Sequence, residues 1–216
     1  MILNNPIKNN LINDTSKTSK RSLIFNNLFK KNPVLVGGMV IAPIAVYATT
    51  FEKALVLVLT FSIITYFTLI ISSFIPKKIV YAIRIVLYTL IGSLVYVPTV
   101  IILNYLIPDS ITNMGIYFPL LITNSFIVSR SETMFFLESK SRMLLDVIFC
   151  IIGYDLAVLL FGFIREIIST GEINGKILAA PFIFNVFSHP FGGFILLGII
   201  SAIFRFMLYI INEIKS

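Results

Sequence analysis

Residues 54–76 read ALVLVLTFSIITYFTLIISSFIP, with no charged side chain between Lys53 and Lys77. A helix needs ~20 apolar residues to cross the hydrocarbon core of a bilayer, and this run supplies them. The stretch is continuously apolar and does not alternate apolar with polar residues, which favours a helix over the strand of a β-barrel. Lipid enforces the same choice, because a spanning backbone must satisfy its own hydrogen bonds. Across 216 residues, 57% are hydrophobic and only 12% charged. The expected fold class is therefore all-α, a polytopic membrane protein, and a soluble domain is excluded.

Working outward, the other spans lie in the gaps between charges, because an ionised group at mid-bilayer costs a few kcal/mol. No charge falls between Lys31 and Glu52, between Arg84 and Asp109, or between Asp109 and Arg130. With the 54–76 run, these gaps give four spans. A fifth is expected from about Met143 to Ile164, carrying Asp146 and Asp155. A sixth is expected from about Phe194 to Ile211, with Arg205 close enough to its end to snorkel. The expected total is six transmembrane helices.

Orientation follows the distribution of Lys and Arg, which collect in cytoplasmic loops. Lys8, Lys17, Lys20, Arg21, Lys30 and Lys31 precede the first span and place the N-terminus inside. Alternate threading then puts Lys77, Lys78, Arg130, Lys140, Arg142 and Lys215 inside as well, leaving Lys53, Arg165 and Lys176 as exceptions. Both termini are expected in the cytoplasm. The net charge of +7 reads as topology and contact with anionic lipid, and not as nucleic-acid binding.

Residues 1–31 form a separate unit, a basic cytoplasmic tail rich in Asn, Ser, Thr and Lys. It is too long for the basic region of a signal peptide, and no small-residue cleavage pattern follows the first apolar stretch, so the first span is expected to stay in the mature chain. Leu23, Ile24, Phe25, Leu28 and Phe29 lie among basic residues, as an interfacial helix would have them. A disordered tail ending in a basic anchor fits the same residues. Residues 32–216 form the six-helix membrane domain.

Two spans are weak helices. The first opens with Asn32 and Pro33, is loosened by Gly37 and Gly38, and is expected to break again at Pro43. The fourth begins near Pro119 and is interrupted by Thr123, Asn124 and Ser125. Two such segments three spans apart suggest half-length helices in corresponding positions of inverted three-helix repeats, with a binding or transfer site near the midplane. The alternative is the ordinary abundance of Gly and Pro in membrane helices.

The stretch Asn32-Pro33-Val34-Leu35-Val36, then Pro43, Pro119-Leu120 with Thr123-Asn124, Arg130-x-Glu132, Leu145-Asp146, Arg165-Glu166-Ile167 with Gly171, and Pro190-x-Gly192-Gly193-Phe194 together resemble the Rnf and Nqr membrane subunits. Order and spacing fit from Asn32 to the C-terminus, and the opening looks more like the E subunit of Rnf or the D subunit of Nqr than like their inverted partners. The resemblance implies a six-helix subunit in a bacterial cytoplasmic membrane. It would pair with a homologous six-helix subunit and other subunits of an ion-translocating electron-transport complex. It also implies an iron–sulfur cluster shared by the pair, with one cysteine from each half-helix.

The chain departs from the family at that point. Ala42 and Ser125 occupy the two cysteine positions, and neither a methyl group nor a neutral hydroxyl replaces a soft thiolate. No cofactor is expected in this chain. The single cysteine, Cys150, lies mid-span, where a free thiol ordinarily packs as a small apolar residue.

Among the remaining polar residues, Asp155 is a candidate for ion or proton handling, together with Asn124 and Ser125. It reads equally well as a protonated group hydrogen-bonded to a neighbouring helix. Asp146 is expected to meet Arg142 one turn earlier. Arg165 and Glu166 are expected to end the fifth span at its outer surface, and His189 to be a satisfied interfacial group. No nucleotide loop, zinc spacing or nucleophile with a base is found, so no catalytic residue or metal site is assigned. Three functions stay open: a non-catalytic subunit of an Rnf- or Nqr-type complex, a redox-inert paralogue that binds or moves something other than electrons, and the substrate-binding component of a vitamin transporter. The last rests on size and topology alone.

Overall fold

The computed structural model describes residues 32–76, 78–108, 112, 114–134, 140–173, 176–177 and 183–214. The basic tail with its interfacial helix, and Lys77, Asp109 and Lys215, lie outside the described residues. Apart from a hairpin of two two-residue strands, β1 (Glu172–Ile173) and β2 (Lys176–Ile177), the regular structure among the described residues is helical.

Seven α-helices follow in order among these residues: α1 (Ile41–Tyr47), α2 (Phe51–Ser72), α3 (Tyr81–Leu106), α4 (Tyr117–Leu120), α5 (Ser125–Met134), α6 (Lys140–Thr170) and α7 (Pro190–Ile214). A short 3-10 turn, Asn185–Ser188, leads into α7. Four of the described helices are long and apolar enough to cross a membrane: Phe51–Ser72, Tyr81–Leu106, Leu144–Thr170 and Pro190–Ile211. In α2, α3 and α6 apolar residues run all around the helix, as lipid requires on one side and packing on the other. Expected spans one and four are each interrupted, and neither contains a helix of that length among the described residues.

The centre of the bundle is the α2–α6 pair. Helix α2 also packs on α3, α1 and α5, while α7 packs on α1 and the 3-10 turn. Accordingly about half of the residues along α2 and α6 are buried, whereas α3 and α7 lie at the periphery with few buried residues. The core joins Leu57, Phe61, Ile64 and Leu69 of α2 to Cys150, Tyr154, Val158 and Phe161 of α6, with Phe118 and Phe126 from the second interrupted segment. Phe61 stacks on Tyr154 with ring centroids 3.7 Å apart, and its ring tilts onto Phe126 at 5.8 Å.

Two boundaries differ from the sequence-based expectation. Pro43 does not break the first span: it sits in the first turn of α1, where its missing N–H would have had no partner. The break lies just before it, at Gly38 (φ 63°) and Val40 (φ 59°). Glycine adopts this left-handed backbone freely, but a β-branched valine is strained there. The expected fifth span, α6, also runs past Ile164 to Thr170, where Arg165 and Glu166 find partners inside the protein.

Candidate functional site

The two interruptions meet, since α1 packs against α4. Each segment holds a capping asparagine. Asn32 Oδ1 accepts the N–H groups of Val34 and Leu35, both at 3.0 Å, and its Nδ2 donates to the Gly153 carbonyl of α6 at 2.7 Å. Pro33 follows at the position where a helix tolerates it best. Asn124 Oδ1 accepts the Ile127 N–H at 2.9 Å and caps α5, while its Nδ2 donates to the Leu121 carbonyl at 2.6 Å. Ala42 and Ser125 lie in the first turns of α1 and α5, each just after its segment's break, and both are exposed on this chain.

The first segment is anchored by the far end of α6. Arg165 is fully buried, and its Nη1 donates to the carbonyls of Ala45 (2.7 Å) and Ala48 (3.2 Å) at the end of α1. Its Nε donates to Phe187 O at 2.7 Å and its Nη2 to Ser188 O (3.4 Å) and His189 O (3.1 Å), at the approach to α7. Carbonyls at a helix C-terminus carry partial negative charge, so this arrangement suits a buried cation. Next to it, Glu166 Oε2 accepts the Phe51 N–H at 2.8 Å and satisfies one of the free donors at the start of α2. Neither residue shapes an outer surface; both side chains are buried. Gly193 makes the junction possible, since a Cβ there would lie 2.2 Å from Ala45 O and 2.9 Å from Arg165 Nη2. His189 enters through its backbone, and its residue is exposed.

The second segment is anchored by ion pairs. Arg130 Nη1 contacts Asp146 Oδ2 at 3.0 Å, its Nη2 donates to Cys150 Sγ at 2.7 Å, and its guanidinium lies over the Phe126 ring at 5.4 Å. Asp146 thus has Arg130 as a partner; the Arg142 side chain lies outside the described set. Arg84 Nε donates to Glu132 Oε1 at 2.9 Å, its Nη2 contacts Glu132 Oε2, and the Tyr88 hydroxyl donates to Oε1 at 2.8 Å. Beside the Arg84 guanidinium, the Glu132 carboxyl is held below the usual carboxylate range.

Asp155 stands apart from both anchors, half-buried on α6. The Ser62 hydroxyl of α2 faces its two oxygens at 3.0 and 2.9 Å. Arg205 does more than reach for an interface: its Nη2 donates to Val36 O at 2.6 Å and its Nε to Leu35 O at 3.3 Å, at the end of the first turn after Asn32. Reading the sequence missed Arg84, Tyr88, Ser62 and the thiol of Cys150 as partners. Arg84 and Tyr88 are four residues apart and so share one face of α3, which was the one signal that could have joined them. Among the described residues, no group of three His, Cys, Asp or Glu side chains is placed to hold a metal.

With this geometry in place, the comparison with known proteins is decisive. Residues 20–201 match the model of the family described as "Rnf-Nqr subunit, membrane protein". The chain belongs to the Rnf-Nqr family. It is similar to the E subunit of the ion-translocating oxidoreductase complex of Buchnera aphidicola (subspecies Acyrthosiphon pisum, strain APS), 30% identical over 91% of this chain and 94% of that protein. It is also similar to the D subunit of the Na(+)-translocating NADH-quinone reductase of Yersinia enterocolitica, 30% identical over 74% of this chain and 76% of that one. The corresponding D subunit of Yersinia pseudotuberculosis (serotype O:1b) is 29% identical over the same shares. The Rnf-Nqr match spans both asparagine caps and both arginine anchors, and ends four residues before Arg205.

Proposed function

We propose that this chain is a non-catalytic membrane subunit of an Rnf- or Nqr-type ion-translocating electron-transport complex. In this reading it contributes structure and polar groups for an ion path, and no iron–sulfur ligand of its own. The observation that carries the reading is the similarity over nine-tenths of the chain to a protein named as the E subunit of an ion-translocating oxidoreductase complex. The four long helices and the two interrupted segments together make six passages in the inverted-repeat arrangement. Both termini lie in the cytoplasm by the Lys and Arg bias, and the membrane is the bacterial cytoplasmic membrane.

A homologous six-helix subunit is the expected partner, covering the face where Ala42 and Ser125 are exposed at the two breaks. The donor set does not fit a cluster. Ala42 offers a methyl group, Ser125 a neutral hydroxyl, and the one thiol, Cys150, is buried against Arg130. Asp155 with Ser62, and Asn124 with Ser125, are the intramembrane polar groups proposed for the ion path.

The test is gentle purification of the tagged protein from its own membranes, with identification of what accompanies it and an assay of iron and acid-labile sulfide. Rnf- or Nqr-type subunits without a membrane cluster are expected. The same subunits with such a cluster would refute the ligand reading and point to donors from a partner. Arrival alone, or with a pair of ATPases, would refute the electron-transport assignment and favour a transport or binding module on the same scaffold.

A further inference from the structure

Glycine costs a helix interior roughly 1 kcal/mol relative to alanine, so its place in a span asks for a reason. Gly92, Gly162, Gly192 and Gly193 have one, since a Cβ at each would lie 2.2 to 2.8 Å from a neighbouring atom. Gly198 of α7 differs: a Cβ there meets no atom within 4 Å. The open space beside it is a groove of 470 Å³ between the turn after Asn32 and α7. Leu35, Gly38 and Ile41 form one wall, and Phe194, Gly198 and Arg205 the other. Apart from Arg205 and Ser201 the lining is apolar.

The groove has the dimensions of a hydrocarbon chain. Phe194 and Arg205 lie about 16 Å apart along α7 at ~1.5 Å per residue, roughly half of the ~30 Å hydrocarbon core. Spread along that length, 470 Å³ leaves a cross-section of about 30 Å². A second helix, ~10 Å across, does not enter so narrow a slot, whereas one extended acyl chain does.

The charge at its end narrows the occupant further. Arg84 and Arg130 face carboxylates, and Arg165 is buried among carbonyls at the end of α1. Arg205 is exposed on a peripheral helix, and its two described hydrogen bonds go to the neutral carbonyls of Leu35 and Val36. Those bonds hold the guanidinium at the end of the groove without compensating its charge. Glu213, the one acid on α7, lies about 12 Å further along the helix, next to the Tyr209 hydroxyl. An ionised arginine facing lipid is expensive until an anion meets it, and the anion a bilayer supplies is the phosphate of a lipid headgroup, which suits the guanidinium fork.

We propose that this groove binds one anionic phospholipid, with an acyl chain lying along Gly198 between Leu35 and Phe194 and the phosphate on Arg205. The headgroup lies on the side of the membrane where α7 ends, toward which the long arginine stem carries its charge. The lipid ties the turn after Asn32 to α7, two parts that the chain itself joins through Arg205.

The test is lipid titration of the full-length protein, purified in mild detergent with the subunits that accompany it and read by native mass spectrometry. Phosphatidylglycerol and phosphatidylcholine with the same oleoyl chains are the probes. The unmutated protein is expected to hold one phosphatidylglycerol about five times more tightly than phosphatidylcholine, and Arg205→Gln to abolish the preference. Gly198→Leu is expected to weaken both lipids by filling the groove. Leucine suits a helix better than glycine and meets open space here, so this variant keeps the measurement valid should Arg205→Gln fail to fold. Equal affinity of the unmutated protein for the two lipids, a preference that survives Arg205→Gln, or binding unchanged by Gly198→Leu would each overturn the proposal. Photocrosslinking from Phe194→p-benzoylphenylalanine in the protein's own membranes identifies the native occupant. Adducts enriched in anionic phospholipid over the surrounding membrane are expected, and an adduct with another protein in their place would overturn it.

Discussion

The two interrupted segments share a capping asparagine and differ in how they are anchored. Each carries an asparagine whose side-chain oxygen accepts backbone N–H groups, Asn32 in the turn before the break of the first segment and Asn124 at the start of α5, after the break of the second. The first is then locked by Arg165, all of whose hydrogen bonds among the described residues go to backbone carbonyls. The second is locked by two arginine–carboxylate pairs, Arg130–Asp146 and Arg84–Glu132. A helix C-terminus can therefore stand in for a carboxylate as the partner of a buried cation, and such an anchor carries no acid that could titrate.

The largest effect separating the two anchors is expected at Gly193. Gly193→Val forces a Cβ to within 2.2 Å of Ala45 O, and a loss of about 4 kcal/mol or more is expected, read as failure to recover folded protein in detergent. Recovery at the level of the unmutated chain would mean that the Arg165 junction is loose.

Next comes the cation itself. Arg165→Met leaves several carbonyls without their donor and is expected to cost about 3–5 kcal/mol in thermal unfolding, whereas Arg165→Lys, one donor head in place of a fork, restores only part of it. Full rescue by lysine would show that charge alone is needed and not the fork.

At the second anchor the Glu132 side chain keeps 17% of its exposure, so Glu132→Gln is expected to cost less, about 1–2 kcal/mol. Because its folded pKa is depressed, the stabilisation by Glu132 is complete above the unfolded carboxylate value. It is lost as pH falls through the lower, folded value. Acid titration of unfolding should therefore be shallower in the Gln variant, and identical acid profiles would sink the assignment.

The smallest effects distinguish the caps. Asn124→Ala should cost about 1 kcal/mol, and Asn32→Ala about 2, because Asn32 accepts two N–H groups where Asn124 accepts one, and its amide ties the segment to α6 where that of Asn124 bonds within its own segment. Equal losses would mean that the bond to α6 contributes nothing.

Much of this was legible in the sequence. Uncharged runs located α2 and α3, apolar runs carrying Asp146, Asp155 and Arg205 located α6 and α7, and the polar run Thr123–Ser125 located the second break, because those signals are local. The first break was misplaced onto Pro43, since proline reads as a breaker unless its position within the helix is known. The partners of Arg84, Arg130 and Arg165 were not legible. In each case the described partner lies 16 to 120 residues away along the chain. A sequence shows that a charge in a membrane helix needs company, but not which company.

The sequence by itself determined the solvent, the helical class, the family and the absence of thiols at positions 42 and 125. All of these depend on composition or on residues read one at a time. Only the tertiary structure decided that Arg165 and Glu166 turn inward, that Arg130 pairs with Asp146 and Cys150, and that Ser62 faces Asp155. The reason is physical. The cost of burying a polar group is fixed by its chemistry, but whether that cost is met depends on which groups packing brings within hydrogen-bond distance.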